Sequence, residues 1–132
     1  MTFNLSSLAK ADTALVQLRH PVTDEFLFAD DEKTQPVQIE IYGTSSKQYR
    51  SALTAMQNTR LKRGKKVMSA EQIRDESIDL LVTCSIRGIN LDYKGKPLEG
   101  EAFRALYSDN SYDWLKDQVD EAIGDAQTFL GK

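Results

Sequence analysis

Apolar and polar positions along the chain change their period several times, and the changes mark out the elements. Residues 13–19 (TALVQLR) and Phe26-Leu27-Phe28 flank the segment His20-Pro21-Val22-Thr23-Asp24-Glu25. They predict two short strands around a turn, because Pro fixes φ while Asp and Thr favour turns. From Pro36 to Tyr42 the period is two, with Val37, Ile39 and Ile41 on one face and Gln38, Glu40 and Tyr42 on the other. That is the pattern of a half-buried antiparallel strand begun by a proline.

After Gly43 the period lengthens to that of a helix. Thr44, Ser45 and Ser46 offer N-caps, and Tyr49, Ala52, Leu53 and Met56 recur as one stripe. The basic residues 60–66, with Gly64 among them, end this helix. Ser69 with Gln72 three residues on is a capping box that opens a second helix. Its run Ile78–Ile86 is apolar on nearly all sides, with Ile73, Leu80 and Cys84 on one face, Leu81 and Val82 adjoining, and Gly88 as the C′ residue. This reads as the central helix, with Cys84 as a small core residue. Ile89–Tyr93 alternates and Lys94-Gly95-Lys96-Pro97 is turn-like, so a short extended excursion follows.

Two helices close the chain: Glu99–Leu106, amphipathic through Phe103 and Leu106, and one running from an Asn110 or Ser111 cap to Leu130. In the last, Tyr112, Leu115, Val119, Ala122, Ala126 and Phe129 recur at 3,4,3,4,3 spacing, a stripe for the core or for a partner helix. Trp114 falls off the stripe beside Gln118, Glu121 and Asp125; it is either an interface anchor or packed against the preceding helix. The expected class is α+β: a small N-terminal antiparallel β-sheet followed by a mainly α-helical bundle. A single domain is expected over 1–132, β-rich at 13–42 and helical at 44–132.

Charge is segregated along this pattern. Residues 1–40 carry three basic and seven acidic groups, and residues 71–132 seven basic and thirteen acidic. Between them, Ile41–Ala70 has no acid and holds Lys47, Arg50, Arg60, Lys62, Arg63, Lys65 and Lys66. Such a chain offers its middle to an acidic partner, or to the ends of its own kind; the plain alternative is a solvated helix end with a basic loop after it. We single out Arg60, Lys62, Arg63, Lys65 and Lys66, with Tyr112, Trp114, Leu115 and Val119 from the closing stripe, as candidate protein-binding residues.

The residues supply little for catalysis. One His and one Cys cannot build a His-pair metal site or an internal disulfide. Arg63-Gly64-Lys65-Lys66 lacks the paired glycines and terminal Ser/Thr of a phosphate loop. A Ser-His-Asp triad would have to use His20 in a surface turn. Carboxylate pairs such as Asp75/Asp79 and Glu121/Asp125 stand one helical turn apart and read as solvated. No enzyme, cofactor or metal site is expected. No apolar run reaches the roughly 20 residues of a membrane span, and MTFNLSSLAKAD has no export-signal pattern, so a soluble protein of a reducing cytosol is expected.

The order RHPVTDEFL, PVQIEIYGTSSKQYR, CSIRGINLDYKGKPLEGEAFRALYSD and WLKDQVDEAIGDAQTFLGK resembles the tail assembly chaperones of long-tailed, siphovirus-type bacteriophages over residues 13–132. The resemblance rests on a small N-terminal sheet, a helix pair, the element Ile86-Arg87-Gly88-Ile89, a turn and a closing helix with Trp. It implies a non-enzymatic role in the host cytoplasm: coating and solubilising the tape measure protein, helping to recruit tail tube protein, and self-associating as a homo-oligomer. Absence from the mature virion is implied as well. It also implies a longer form made by ribosomal frameshifting, for which Leu130-Gly131-Lys132 can encode a slippery heptamer. Two other classes compete. One is a small nucleic-acid-binding protein using 47–66, disfavoured by the net charge of −3 and the lack of interleaved aromatics. The other is a tail or head-completion subunit retained in the particle.

Overall fold

The computed structural model describes residues 1–64 and 67–130; Lys65, Lys66, Gly131, Lys132 and the side chains of Ser7, Ala126 and Gln127 lie outside the described residues. Strands β1 (Thr13–Gln17) and β2 (Gln38–Tyr42) pair antiparallel, with Ala14 opposite Ile41 and Val16 opposite Ile39. The alternation of the second strand puts Val37, Ile39 and Ile41 into the core and leaves Gln38, Glu40 and Tyr42 half-buried. The expected strand at 26–28 is instead two single bridges, Arg19 to Phe26 and Phe28 to Pro36. Asp24 and Lys33 turn the chain there at φ 62° and 58°, and the Asp30 carboxylate accepts from the amides of Thr34 and Gln35. Turns this closely spaced leave too little straight chain for a ladder.

Helix α1 (Lys47–Arg63) starts as its caps predict: Ser46 Oγ accepts from the Tyr49 amide at 3.1 Å and donates to the Gly43 carbonyl at 2.7 Å. Gly64, at φ 68°, ends it by donating to the carbonyls of Arg60 and Leu61. Helix α2 (Ala70–Cys84) carries the reciprocal capping box of Ser69 and Gln72. Its buried face is Ile78, Leu81, Val82 and Cys84; Leu80 is half-buried and Ile73 is 52% exposed, so the expected face is shifted.

The helix does not continue to Gly88. It gives way without a linker to strand β3 (Ser85–Tyr93), which pairs with β2 and puts Gly88 opposite Ile39. The switch is held at Ser85, whose hydroxyl donates to the Leu81 carbonyl at 2.7 Å and lies 2.6 Å from the Tyr107 hydroxyl. With the serine proton committed, Tyr107 donates, and burial pushes its phenol pKa upward so that the proton stays in place. Gly88 is needed for close packing: a Cβ there would sit 3.3 Å from both the Leu98 Cβ and the Leu91 carbonyl oxygen.

Strand β4 (Lys96–Glu99) returns through a two-residue turn in which Lys94 and Gly95 both have positive φ, 51° and 77°, as a type I′ hairpin requires. The sheet order is β1-β2-β3-β4, antiparallel throughout. The fold is α+β, and the sheet is not strictly N-terminal, since half its strands come from residues 85–99.

Helix α3 (Phe103–Ser108) buries Phe103, Leu106 and Tyr107. The last predicted helix is broken into α4 (Asp113–Gly124) and α5 (Ala126–Phe129), and Asp109 caps the 3-10 turn Asn110–Tyr112 that precedes α4. That carboxylate accepts from the Ser111 amide at 3.0 Å and from the Tyr93 hydroxyl at 2.9 Å, which together hold its pKa below the ordinary value. Beyond the break, the Phe129 ring folds over Gly43, where a Cβ would come within 2.7 Å of it. Leu115, Val119, Ile123 and Phe129 are buried, Ala122 half-buried and Tyr112 exposed. Most of the closing stripe therefore packs into the chain's own core.

A single hydrophobic cluster joins the sheet to α2, α3, α4 and α5, with Leu18, Ile39, Ile41, Cys84, Phe103 and Val119 at 0% exposure. Burial pushes the Cys84 thiol up to about 11, in keeping with a core role. Leu81 is 1% exposed. Leu81→Asp deletes contacts of about 2–5 kcal/mol and buries a carboxylate without a partner. Loss of native circular dichroism and of cooperative unfolding is expected; a native spectrum would contradict the placement of α2 at the core.

Candidate functional site

Helix α1 is the element that the core does not claim. None of its seventeen residues is buried, and its stripe Tyr49, Ala52, Leu53 and Met56 is only half-buried. The helix packs chiefly on α2, forming a two-helix arm at the side of the sheet. Between the two helices runs a cleft of about 190 Å³ lined by Ala52, Ala55, Met56, Thr59, Leu80 and Thr83, with Glu76 and Asp79 along it. The α1 wall is mostly small, with Ala52, Ala55 and Thr59, while the α2 wall carries Glu76, Asp79, Leu80 and Thr83.

The basic candidates sit at the far end of this arm, and they are not equivalent. The Arg60 guanidinium pairs with Glu76 at 3.1 Å, and the Glu76 side chain is only 13% exposed. Arg63 is half-buried, with Nη1 lacking a partner, as does Oε1 of Glu76. Lys62 is exposed. Lys65 and Lys66 lie outside the described residues. Around these charges the arm exposes apolar side chains: Leu61 at 78%, Val67 at 93% and Ile73 at 52%. None of the three was a candidate on the sequence, yet Leu61 falls opposite the Tyr49–Met56 stripe on a helical projection, a legible sign of exposure.

The second group of candidates is divided. Leu115 and Val119 are core residues, 3% and 0% exposed. Tyr112 stacks edge-on against Tyr93 at 5.8 Å, and Trp114 is half-buried against the core. Tyr112 and Trp114 line a small cleft of about 120 Å³ with Leu18, Leu27, Tyr93 and Lys94. The basic and the aromatic candidates thus occupy separate places, one on the arm and one where the β3–β4 hairpin meets α4.

Among the described residues, no three His, Cys, Asp or Glu side chains are placed to hold a metal ion. No helix among them is long and apolar enough to cross a membrane. Comparison with known protein families, with curated proteins and with solved structures finds no match.

The two cations at the arm's end have different expected effects. Arg60→Ala leaves the largely buried Glu76 carboxylate without its ion pair and should lower stability by about 1–3 kcal/mol. Lys62→Glu, at an exposed position, should change it by less than about 0.5 kcal/mol. Urea unfolding of both variants checks this ranking, and equal effects would contradict the Arg60–Glu76 geometry.

Proposed function

We propose that this chain is a non-enzymatic tail assembly chaperone of long-tailed bacteriophages. It binds the helical tape measure protein in the host cytoplasm, keeps it soluble, helps recruit tail tube protein, and is not retained in the mature virion. The resemblance of residues 13–132 to that family supports the reading. The observation that carries it is α1, a seventeen-residue helix with no buried side chain, whose half-covered apolar stripe borders the open cleft between α1 and α2.

A tape measure protein is a long helix with apolar faces that aggregate when exposed. An arm with Ala52, Ala55 and Met56 beside its cleft and Leu61, Val67 and Ile73 exposed near its end offers such a helix apolar contact. The cations Arg60, Lys62 and Arg63 add attraction for acidic positions on the partner. Each site is small, and the proposed mode of action is many copies binding one long partner, with affinity built through multivalency.

The test uses the genome from which the chain comes. A tail tube gene upstream and a very long tape measure gene downstream are expected. Co-expression of that tape measure protein with this chain should keep it in the soluble fraction. Ala55→Glu combined with Leu61→Asp, both at exposed positions, should weaken the binding at least about tenfold, near 1.4 kcal/mol. A tape measure protein equally insoluble with and without this chain would contradict the proposal. Binding to duplex DNA that falls steeply with salt would point instead to the nucleic-acid reading.

A further inference from the structure

Helix α1 has an outer face that its packing on α2 leaves free. On a helical projection the half-buried residues Tyr49, Ala52, Leu53, Met56 and Arg63 lie to one side. Lys47, Arg50, Ser51, Thr54, Asn58 and Lys62 lie on the other, and all six are exposed. Along this outer face runs a broad, shallow depression floored by Ser51, Thr54, Ala55 and Asn58, with Lys47 and Arg50 at one end. The helix itself contributes cations and no acid to this face, since α1 contains no Asp or Glu, while Asp12, from the segment before β1, also lines the depression.

Helix α4 has the opposite character. Leu115, Val119 and Ile123 are buried, and the side turned to solvent presents Asp113, Asp117, Asp120 and Glu121. These acids span nine residues, about 12 Å of helix. None of them, nor Lys47, Arg50 or Lys62, has an ion-pair partner among the described residues. One end of each helix carries charge that its dipole disfavours, while the other end is favourably charged, α1 by Arg60, Lys62 and Arg63 and α4 by Asp113. Helix α1 places Lys47 and Arg50 near its positive end with no acid in its first turn. Helix α4 places Asp120 and Glu121 near its negative end with no base in its last turn. Each helix lacks on that face the charge that the other supplies.

We propose that the outer face of α1 docks on the acidic face of α4 in a second copy of this chain. The pairing sets Lys47 and Arg50 against the C-terminal half of α4 and relieves the unfavourable charge at both helix ends. Because the two faces differ, the contact is heterologous: each copy keeps one unused α1 face and one unused α4 face. Association propagates, giving a ring or an open chain rather than a two-fold dimer. The contact does not depend on the chaperone reading, since tape measure binding by the same variants is a separate readout.

Two charge-reversed proteins test it. One carries Lys47→Glu, Arg50→Glu and Lys62→Glu; the other carries Asp117→Lys, Asp120→Lys and Glu121→Lys. All six positions are exposed, so native circular dichroism is expected. A variant that fails to fold is replaced by Lys62→Glu or Asp117→Lys alone, with the same readout. In sedimentation velocity at low salt the wild-type chain should form concentration-dependent oligomers that shrink as salt shortens the screening length to about 10 Å at 0.1 M. Each reversed protein should self-associate at least about tenfold more weakly. An equimolar mixture should recover assembly, because the acidic face of the first then meets the basic α1 of the second. The proposal is overturned by a wild-type monomer up to millimolar concentration, by a reversed protein that assembles like wild type, or by a mixture no larger than its components.

Discussion

The pairing of β2 with β3 is the constraint from which the rest of the arrangement follows. It brings Gln38–Ile41 against Ser85–Ile89, across everything that lies between them in the chain. The intervening segment must leave the end of β2 and return to β3 alongside it, so α1 and α2 are folded back as an antiparallel pair. They are not equal partners. Helix α2 runs without a linker into β3, and its last turns are fixed against the core through Leu81, Cys84 and Ser85. Helix α1 is tied in at its start, by Ser46 bonded to Gly43 and by Tyr49 against the core, and packs chiefly on α2. An outboard helix with nothing buried follows directly from this inequality.

The same geometry explains the partition of charge. Residues of α2, α3, α4 and α5 have to supply apolar faces to one cluster, and their charges are sorted to the outside, some of them into internal ties. Arg104 of α3 bonds Glu101 and also reaches Asp79 of α2, while Arg87 of β3 pairs with Glu40 of β2 across the open face of the sheet at 3.1 Å. The outer cations of α1 and the outer acids of α4 have no such ties, so they are the charges available to a partner.

Much of the fold was legible where one period prevailed. The alternation of Val37, Ile39 and Ile41 located the central strand, and the serine caps at Ser46 and Ser69 located both helix starts. What could not be read was the change of period inside an unbroken apolar run. From Ile78 to Ile89 the residues suit a buried helix or a buried strand, and only pairing with β2 decides that the chain extends at Ser85. The closing helix misled in a related way: Phe129 kept the spacing of the stripe but reaches the core through a separate turn, over a glycine distant in sequence. Leu115 and Val119 are buried for the same reason that their stripe is visible, since a clean apolar stripe is what a chain's own core requires. The unclaimed helix was harder to see, because its half-covered stripe resembles a buried one until its neighbours are known.

The central claim is that α1 is an outboard element, held by α2 and free to open or engage a partner while the sheet stays closed. Native-state amide hydrogen exchange measures this directly. The amides of α1 should exchange through an opening of lower free energy than those of Ile39, Ile41 and Cys84, and that opening should leave the sheet's protection intact. Protection of α1 equal to that of β2, lost only in global unfolding, would contradict the account.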